Sequence, residues 1–164
     1  MAKRAVIKPN KSLRDNARIL VPHLLEEFLS HRARVVAHPR LKKDFHSMRV
    51  AGKTLRYAME VFEAAFGGEF AACLEEVKEL LDAMGRVHDC DVCIPTLQTH
   101  LREIRSFNRV TGNAGDRMRT KAVTDLIRAQ HAQRDGEYAR SCATIEEWTA
   151  KDFAQRVILS MTAS

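Results

Sequence analysis

The chain is poor in aromatic side chains: one Trp, two Tyr and seven Phe make up 6% of 164 residues. The stacking platforms on which single-stranded nucleic-acid binders rest successive bases are therefore scarce. Long hydrophobic runs are missing as well. None approaches the roughly 18 apolar residues that a membrane-spanning helix needs, and the opening MAKRAVIKPNK lacks the apolar middle of a secretory signal. A cytoplasmic protein with no membrane partner is the expectation. Gly (7) and Pro (4) are few, no stretch alternates polar with apolar, and no hairpin dipeptide separates two apolar runs, so strands are not expected. The four cysteines, Cys73, Cys90, Cys93 and Cys142, read as reduced, small apolar side chains in that compartment.

What remains is a chain rich in helix formers and long enough for one compact domain with its own core. Leu13, Ala17, Leu20, Leu24, Phe28 and Val35 recur at three and four spacing, which predicts an amphipathic helix with Ser12 as its cap. Pro22 is expected to kink that helix or start a second segment, and HPR at 38–40 to end it. A second helix is expected from about Leu41 to Phe66, stopping at Gly67-Gly68. A third covers Glu69 to about Ile104 with a bend at Pro95. Asn, Gly and Thr cluster in FNRVTGNAGD, residues 107–116, which marks a loop. Two further helices, Arg117 to Ala139 and Ile145 to Met161, complete an all-α, antiparallel bundle of four to five helices over residues 12–164, preceded by a basic tail over 1–11.

The net charge of +6 is unevenly placed. Residues 1–56 carry 14 Lys+Arg against 4 Asp+Glu, whereas residues 57–164 carry 13 against 17. A basic first third points to a polyanionic partner: nucleic acid, a phosphate polymer or lipid headgroups.

The positive region ends inside HSMRVAGKTLRYAMEVF, residues 46–62. At about 100° per residue, Arg49, Lys53 and Arg56 fall within roughly 80° of His46. Met48, Leu55, Met59 and Phe62 gather on the opposite side. Like charges at this spacing repel by roughly 0.2 to 0.5 kcal/mol per pair, and Glu60 comes only after the row. Two readings stay open. Acids on neighbouring helices, such as Glu75, Glu79, Asp82 or Asp89, neutralise the row; or the row is an anion site, with two guanidinium forks, a mobile ammonium from Lys53 and a donor from His46. Arg14 and Arg18 on the first helix, and Lys78 and Arg86 on the third, extend the patch if those faces converge.

HSMRVAGKTLRYAMEVF resembles the signature of the CHAD family, the conserved histidine α-helical domain: His, then Met-Arg-Val, then a basic residue ahead of Leu-Arg. About thirty residues on, that family shows Leu-Gly, a short gap, Arg-Asp and Val, where this chain has MGRVHDCDV at 84–92. The resemblance implies a helical bundle that binds inorganic polyphosphate, with His46, Arg49, Lys53 and Arg56 as anion contacts. It also implies a place beside polyphosphate-metabolising enzymes or at polyphosphate granules. Met84 stands for the family's leucine and His88 for its arginine. His88 is in register with Leu74, Val77, Leu81 and Met84, so it is either a further ligand contact or a buried histidine paired with a carboxylate. Family members usually carry two such bundles around a basic channel, and nothing after residue 105 repeats HxxRVxxKxLR. Pairing of two copies as a homodimer is the expected remedy.

Two other chemistries fit parts of the sequence. HDCDVC at 88–93 suggests zinc, but on a helix Cys90 sits about 200° from His88, so the two do not share an ion, and no second pair stands at finger spacing. An HD-type phosphohydrolase would use His46, His88-Asp89 and Asp116 or Asp125 to hold a metal that activates water. Weak, salt-sensitive nucleic-acid binding is expected of any such basic patch. The expectation taken forward is a non-enzymatic polyphosphate binder without cofactor or metal.

Overall fold

A computed structural model describes residues 7–38, 42–111 and 113–162, and among these there are helices and turns but no strand. The elements are α1 (Leu13–Ser30), α2 (Arg32–Ala37), α3 (Lys42–Phe62), α4 (Gly68–Val110), α5 (Lys121–Ala150) and α6 (Phe153–Ser160). Short 3-10 turns cover Glu63–Ala65 and Ala114–Asp116. With α2 taken as the continuation of α1 past His31, the bundle has five members, as the periodicity predicts.

Ser12 caps α1 as expected, its Oγ accepting from the amide of Asp15 at 3.1 Å. No second segment starts at Pro22: α1 runs through it, and the chain breaks instead at His31, nine residues on. Pro95 likewise lies inside the 43-residue α4 without ending it. The predicted gap between helices at 140–144 is also absent. Residues 121–150 form one helix, and the break falls at Asp152, which adopts the left-handed backbone (φ 49°) and caps α6 by accepting from Gln155 N. The break expected at 38–40 starts at His38, with residues 39–41 outside the described ones. Of the predicted basic tail, residues 1–6 lie outside the described ones, but Lys8 and Lys11 are fastened. Buried Asn16 donates to their carbonyls at 3.0 and 3.3 Å and accepts from Lys8 N at 2.8 Å.

One core runs through the bundle. Val21, Leu25 and Phe28 of α1 meet Met48, Leu55 and Met59 of α3 and Phe70, Leu74 and Met84 of α4. Ile145 and Trp148 of α5 and Phe153 of α6 close it, with Trp148 and Phe153 stacked 3.9 Å apart. The helices of this core come unusually close at Gly52. A β-carbon there would fall 2.6 Å from Leu81 Cδ2 and 2.9 Å from Phe28 Cε2, so α1 and α4 both press on the one position of α3 that has no side chain.

The packing of α3 on α4 decides what the surface can do. Contacts between them descend in step: Lys42 meets Asp91, His46 meets His88, Arg49 meets Gly85 and Gly52 meets Leu81. The two helices are therefore antiparallel, and the basic stretch at 46–62 lies directly against MGRVHDCDV.

Candidate anion groove between the third and fourth helices

The core face of α3 is set by Phe45, Met48, Gly52, Leu55, Met59 and Phe62, all buried. That burial fixes the helix's rotation and leaves His46, Arg49, Lys53 and Arg56 along the seam with α4. His46 is exposed, and the other three are half-buried. The seam holds two adjoining hollows. One, of about 400 Å³, is lined by Arg49, Lys53, Arg56, Tyr57 and, from α4, Leu81, Asp82, Gly85, Arg86 and Asp89. The other, of about 290 Å³, lies between Lys42, Lys43, Phe45, His46, Arg49, His88, Asp91 and Val92. Arg49 borders both.

Among the described residues, Arg49 and Lys53 form no ion pair, and Arg49 Nε is buried without an acceptor. Arg156 Nε is the other buried side-chain donor in that condition, but it lies 3.3 Å from a carboxylate oxygen of Glu69. An unsatisfied buried donor costs roughly 1–3 kcal/mol, so Arg49 is held in place by the packing rather than by a partner. Lys53 and Arg56 both sit over the ring of Tyr57, 6.0 and 5.4 Å from its centroid, a contact that orients cations without neutralising them. Arg56 also gives Nε to Glu60 Oε1 at 2.9 Å, so Glu60 relieves the row at its last member. Of the acids suggested as neutralisers, Asp82 and Asp89 line the groove but form no ion pair among the described residues. Glu75 pairs with Lys78 instead, and Glu79 lines a separate cavity between α4, α5 and α6.

The additional cations are dispersed. Arg14 donates to Ala65 O at 2.7 Å, and Arg18 gives two hydrogen bonds to Met161 O at 3.0 and 2.9 Å. Both satisfy carbonyls at helix ends, and neither lines the groove, so the extension expected from α1 is not assembled. Lys78 does not line it either. Arg86 does, yet its guanidinium is held by both oxygens of Glu137 on α5, at 2.8 and 3.1 Å. Arg86 holds the Glu137 carboxyl below its ordinary range. His88 is half-buried and faces His46, with ring centroids 5.5 Å apart. Among the described residues it has no carboxylate partner, so the buried-pair reading does not apply.

The sequence reading passed over Lys42, although it lies one turn before His46 on the same stripe. Lys42 and Arg134 both bond Asp91 Oδ1, at 2.9 and 2.8 Å. Burial pushes the Asp91 carboxyl upward, but the hydrogen bonds from Arg134 and Lys42 outweigh it and hold the group below the usual carboxylate range. Asp91 is thus a fixed negative charge at the end of the groove. For the metal readings, no group of three or more His, Cys, Asp or Glu side chains converges to hold an ion among the described residues. Asp125 is engaged by Lys121 and Arg128 at the start of α5, and Asp116 lies in the turn before it. All four cysteines are free thiols. Burial pushes Cys73, Cys90 and Cys142 above the ordinary thiol range.

No helix among the described residues is long and apolar enough to cross a membrane. No curated protein and no solved structure matches the chain. The family model of the CHAD domain matches residues 2–98 and 23–161, which between them span nearly the whole sequence and contain every residue of the groove. This chain belongs to the CHAD domain family.

Proposed function

We propose that the chain binds inorganic polyphosphate in the groove between α3 and α4 and does no chemistry on it. CHAD domains are associated with polyphosphate binding in general. The observation that supports this groove as the place is the set Arg49, Lys53 and Arg56: three cations on successive turns, two of them in no ion pair among the described residues. Turns of α3 are about 5.4 Å apart, so a polymer charged at every phosphate meets a fresh cation at each step. The arginines offer paired N–H groups to phosphoryl oxygens, Lys53 a point charge, and His46 a further donor at the open end. Binding releases counterions condensed on the polymer, so affinity falls steeply with salt.

A single groove is half of the two-bundle arrangement usual in the family, and a homodimer that places two grooves together is part of the proposal. Calorimetric titration with polyphosphates of several lengths, at several salt concentrations, tests the binding. Absence of heat at low salt overturns it. Sedimentation with and without polymer tests the pairing, and a monomer that still binds long chains tightly disposes of it. A phosphatase assay with manganese tests the non-enzymatic part, and turnover lost in both His88→Ala and Asp89→Ala would favour the metal hydrolase instead.

A further inference from the structure

The two hollows of the groove differ in kind. The larger, beside Lys53 and Arg56, is walled by charge: four cations and two carboxylates around Tyr57, Leu81 and Gly85. The smaller is bordered by Lys42, Lys43, Arg49 and Asp91, but its exposed lining is mostly apolar and includes flat side chains. Its lining includes nearly buried Phe45, the tilted rings of His46 and His88, 5.5 Å apart, and Val92, 58% exposed. A polymer of bare phosphates gains nothing from the apolar part of these walls, since each unit is charged and strongly hydrated. The low aromatic content of the sequence conceals this surface, because two of its flat groups are imidazoles.

Arg49 is common to both hollows, so a ligand can pass from one to the other across a single guanidinium. The ligand class with a flat apolar group at one end and a chain of phosphates at the other is a nucleoside polyphosphate. From His46 to Lys53 is seven residues of helix, or roughly 10 Å, and to Arg56 roughly 15 Å. That is the scale of a nucleotide whose phosphates run along α3. The smaller hollow is also lined by Asp91, whose Oδ1 is bonded by Lys42 and Arg134. Carboxylates accept from exocyclic amines of bases.

We propose that the groove binds a nucleoside triphosphate, with the base in the hollow between His46, His88, Phe45 and Val92 and the phosphates on Arg49, Lys53 and Arg56. The inference rests on the reading of those three cations as a phosphate site and adds a second determinant to it. Base stacking on flat side chains strengthens binding severalfold to about a hundredfold, so the nucleoside contributes affinity that the phosphates alone do not.

The test compares ATP and GTP with inorganic tripolyphosphate, which carries as many phosphates and no nucleoside, by calorimetric titration of the full chain without magnesium. The expected result is binding of at least one nucleotide about tenfold tighter than tripolyphosphate. Val92→Ser, at an exposed position, should shrink that advantage and leave tripolyphosphate unchanged. His88→Ala, with retention of the fold checked by circular dichroism, should remove it. Equal affinity for nucleotides and tripolyphosphate overturns this inference while the polyphosphate reading stands. Failure of every phosphate compound to bind, long polyphosphate included, overturns both. A nucleotide advantage that survives both substitutions also overturns it, because the base would then lie elsewhere.

Discussion

A β-carbon built on Gly85 of α4 lies 3.8 Å from Nη2 of Arg49 on α3, an ordinary van der Waals contact. The guanidinium thus rests on a bare stretch of helix with room for one methyl group and little more. Alanine in a helix interior is more stable than glycine by roughly 0.5–1 kcal/mol. Gly85→Ala is therefore expected to stabilise the fold by about that amount and to leave polyphosphate affinity unchanged. Gly85→Glu would place a carboxylate against Arg49 and is expected to cost about tenfold or more in affinity, in keeping with a charged hydrogen bond of roughly 1.5–3 kcal/mol lost to the ligand. Denaturant unfolding and calorimetric titration of the two variants check the pair.

The same substitution at Gly52 has the opposite sign. Its β-carbon would meet Leu81 Cδ2 at 2.6 Å and Phe28 Cε2 at 2.9 Å, and Phe28 is almost fully buried. Overpacking of this kind costs typically about 1–3 kcal/mol, which exceeds the gain in helix propensity of up to about 1 kcal/mol. Gly52→Ala is expected to lower the urea midpoint with an unchanged slope. A midpoint at or above that of the natural chain would mean that α3 and α4 separate easily, and with them the groove.

These two glycines show where the sequence was legible and where it was not. The 3.6-residue period placed Met48, Leu55, Met59 and Phe62 in the core and kept His46, Arg49, Lys53 and Arg56 out of it, and the fold supports that division because it depends on local spacing alone. Helix ends were read less well. Pro22 and Pro95 lie inside continuous helices, while the true break before α6 is an aspartate in the left-handed conformation. Tertiary packing overrides the local cost of a proline, and nothing in the periodicity announces a left-handed residue. The partners were least legible. That Glu137 takes Arg86, or that Arg14 and Arg18 turn to helix-end carbonyls, depends on which helices touch. The hollow beside His46 was also hidden, since it exists only through the antiparallel register of α3 and α4.

Asp91 should make stability depend on acid. Its carboxyl lies below the ordinary range in the fold, because Arg134 and Lys42 outweigh the effect of burial. As pH falls, the unfolded chain takes up this proton first. The contribution is complete above the ordinary carboxylate value, near 3.9, and is lost as pH falls through the lower folded value. Asp91→Asn is expected to destabilise by roughly 1.5–3 kcal/mol at pH 7, where it removes the carboxylate that Arg134 and Lys42 share. The difference from the natural chain should shrink toward pH 3. A gap that stays constant from pH 7 to 3 would show that the carboxylate's charge is not what matters.

Arg49 and Arg56 are half-buried along the seam and do not belong to the buried core of α3, so Arg49→Ala together with Arg56→Ala should leave the helical circular dichroism intact. For a single-stranded polyanion each neutralised phosphate contributes about −0.7 to the slope of log affinity against log salt. Loss of two contacts should flatten that slope by about 1.4, with affinity at low salt down by more than about tenfold. Unfolding of the double variant would instead assign both arginines to internal ion pairing, and an unchanged slope would place the polymer on another face.

Glu60 provides the sharpest sign. It is the only acid that pairs with the row among the described residues, holding Arg56 Nε at 2.9 Å, and both side chains are about one-third exposed. A purely structural row would need this pair, and Glu60→Gln would then only weaken the helix, by about 0.3–0.5 kcal/mol. A phosphate site competes with it: the carboxylate must be displaced or tolerated whenever a phosphate approaches Arg56. Glu60→Gln is therefore expected to tighten polyphosphate binding about two- to fivefold, the equivalent of an exposed ion pair released to the ligand. Tripolyphosphate should gain similarly if it reaches Arg56. A loss of affinity in this variant, with the fold intact, would show that Glu60 orients Arg56 for the anion rather than competing with it.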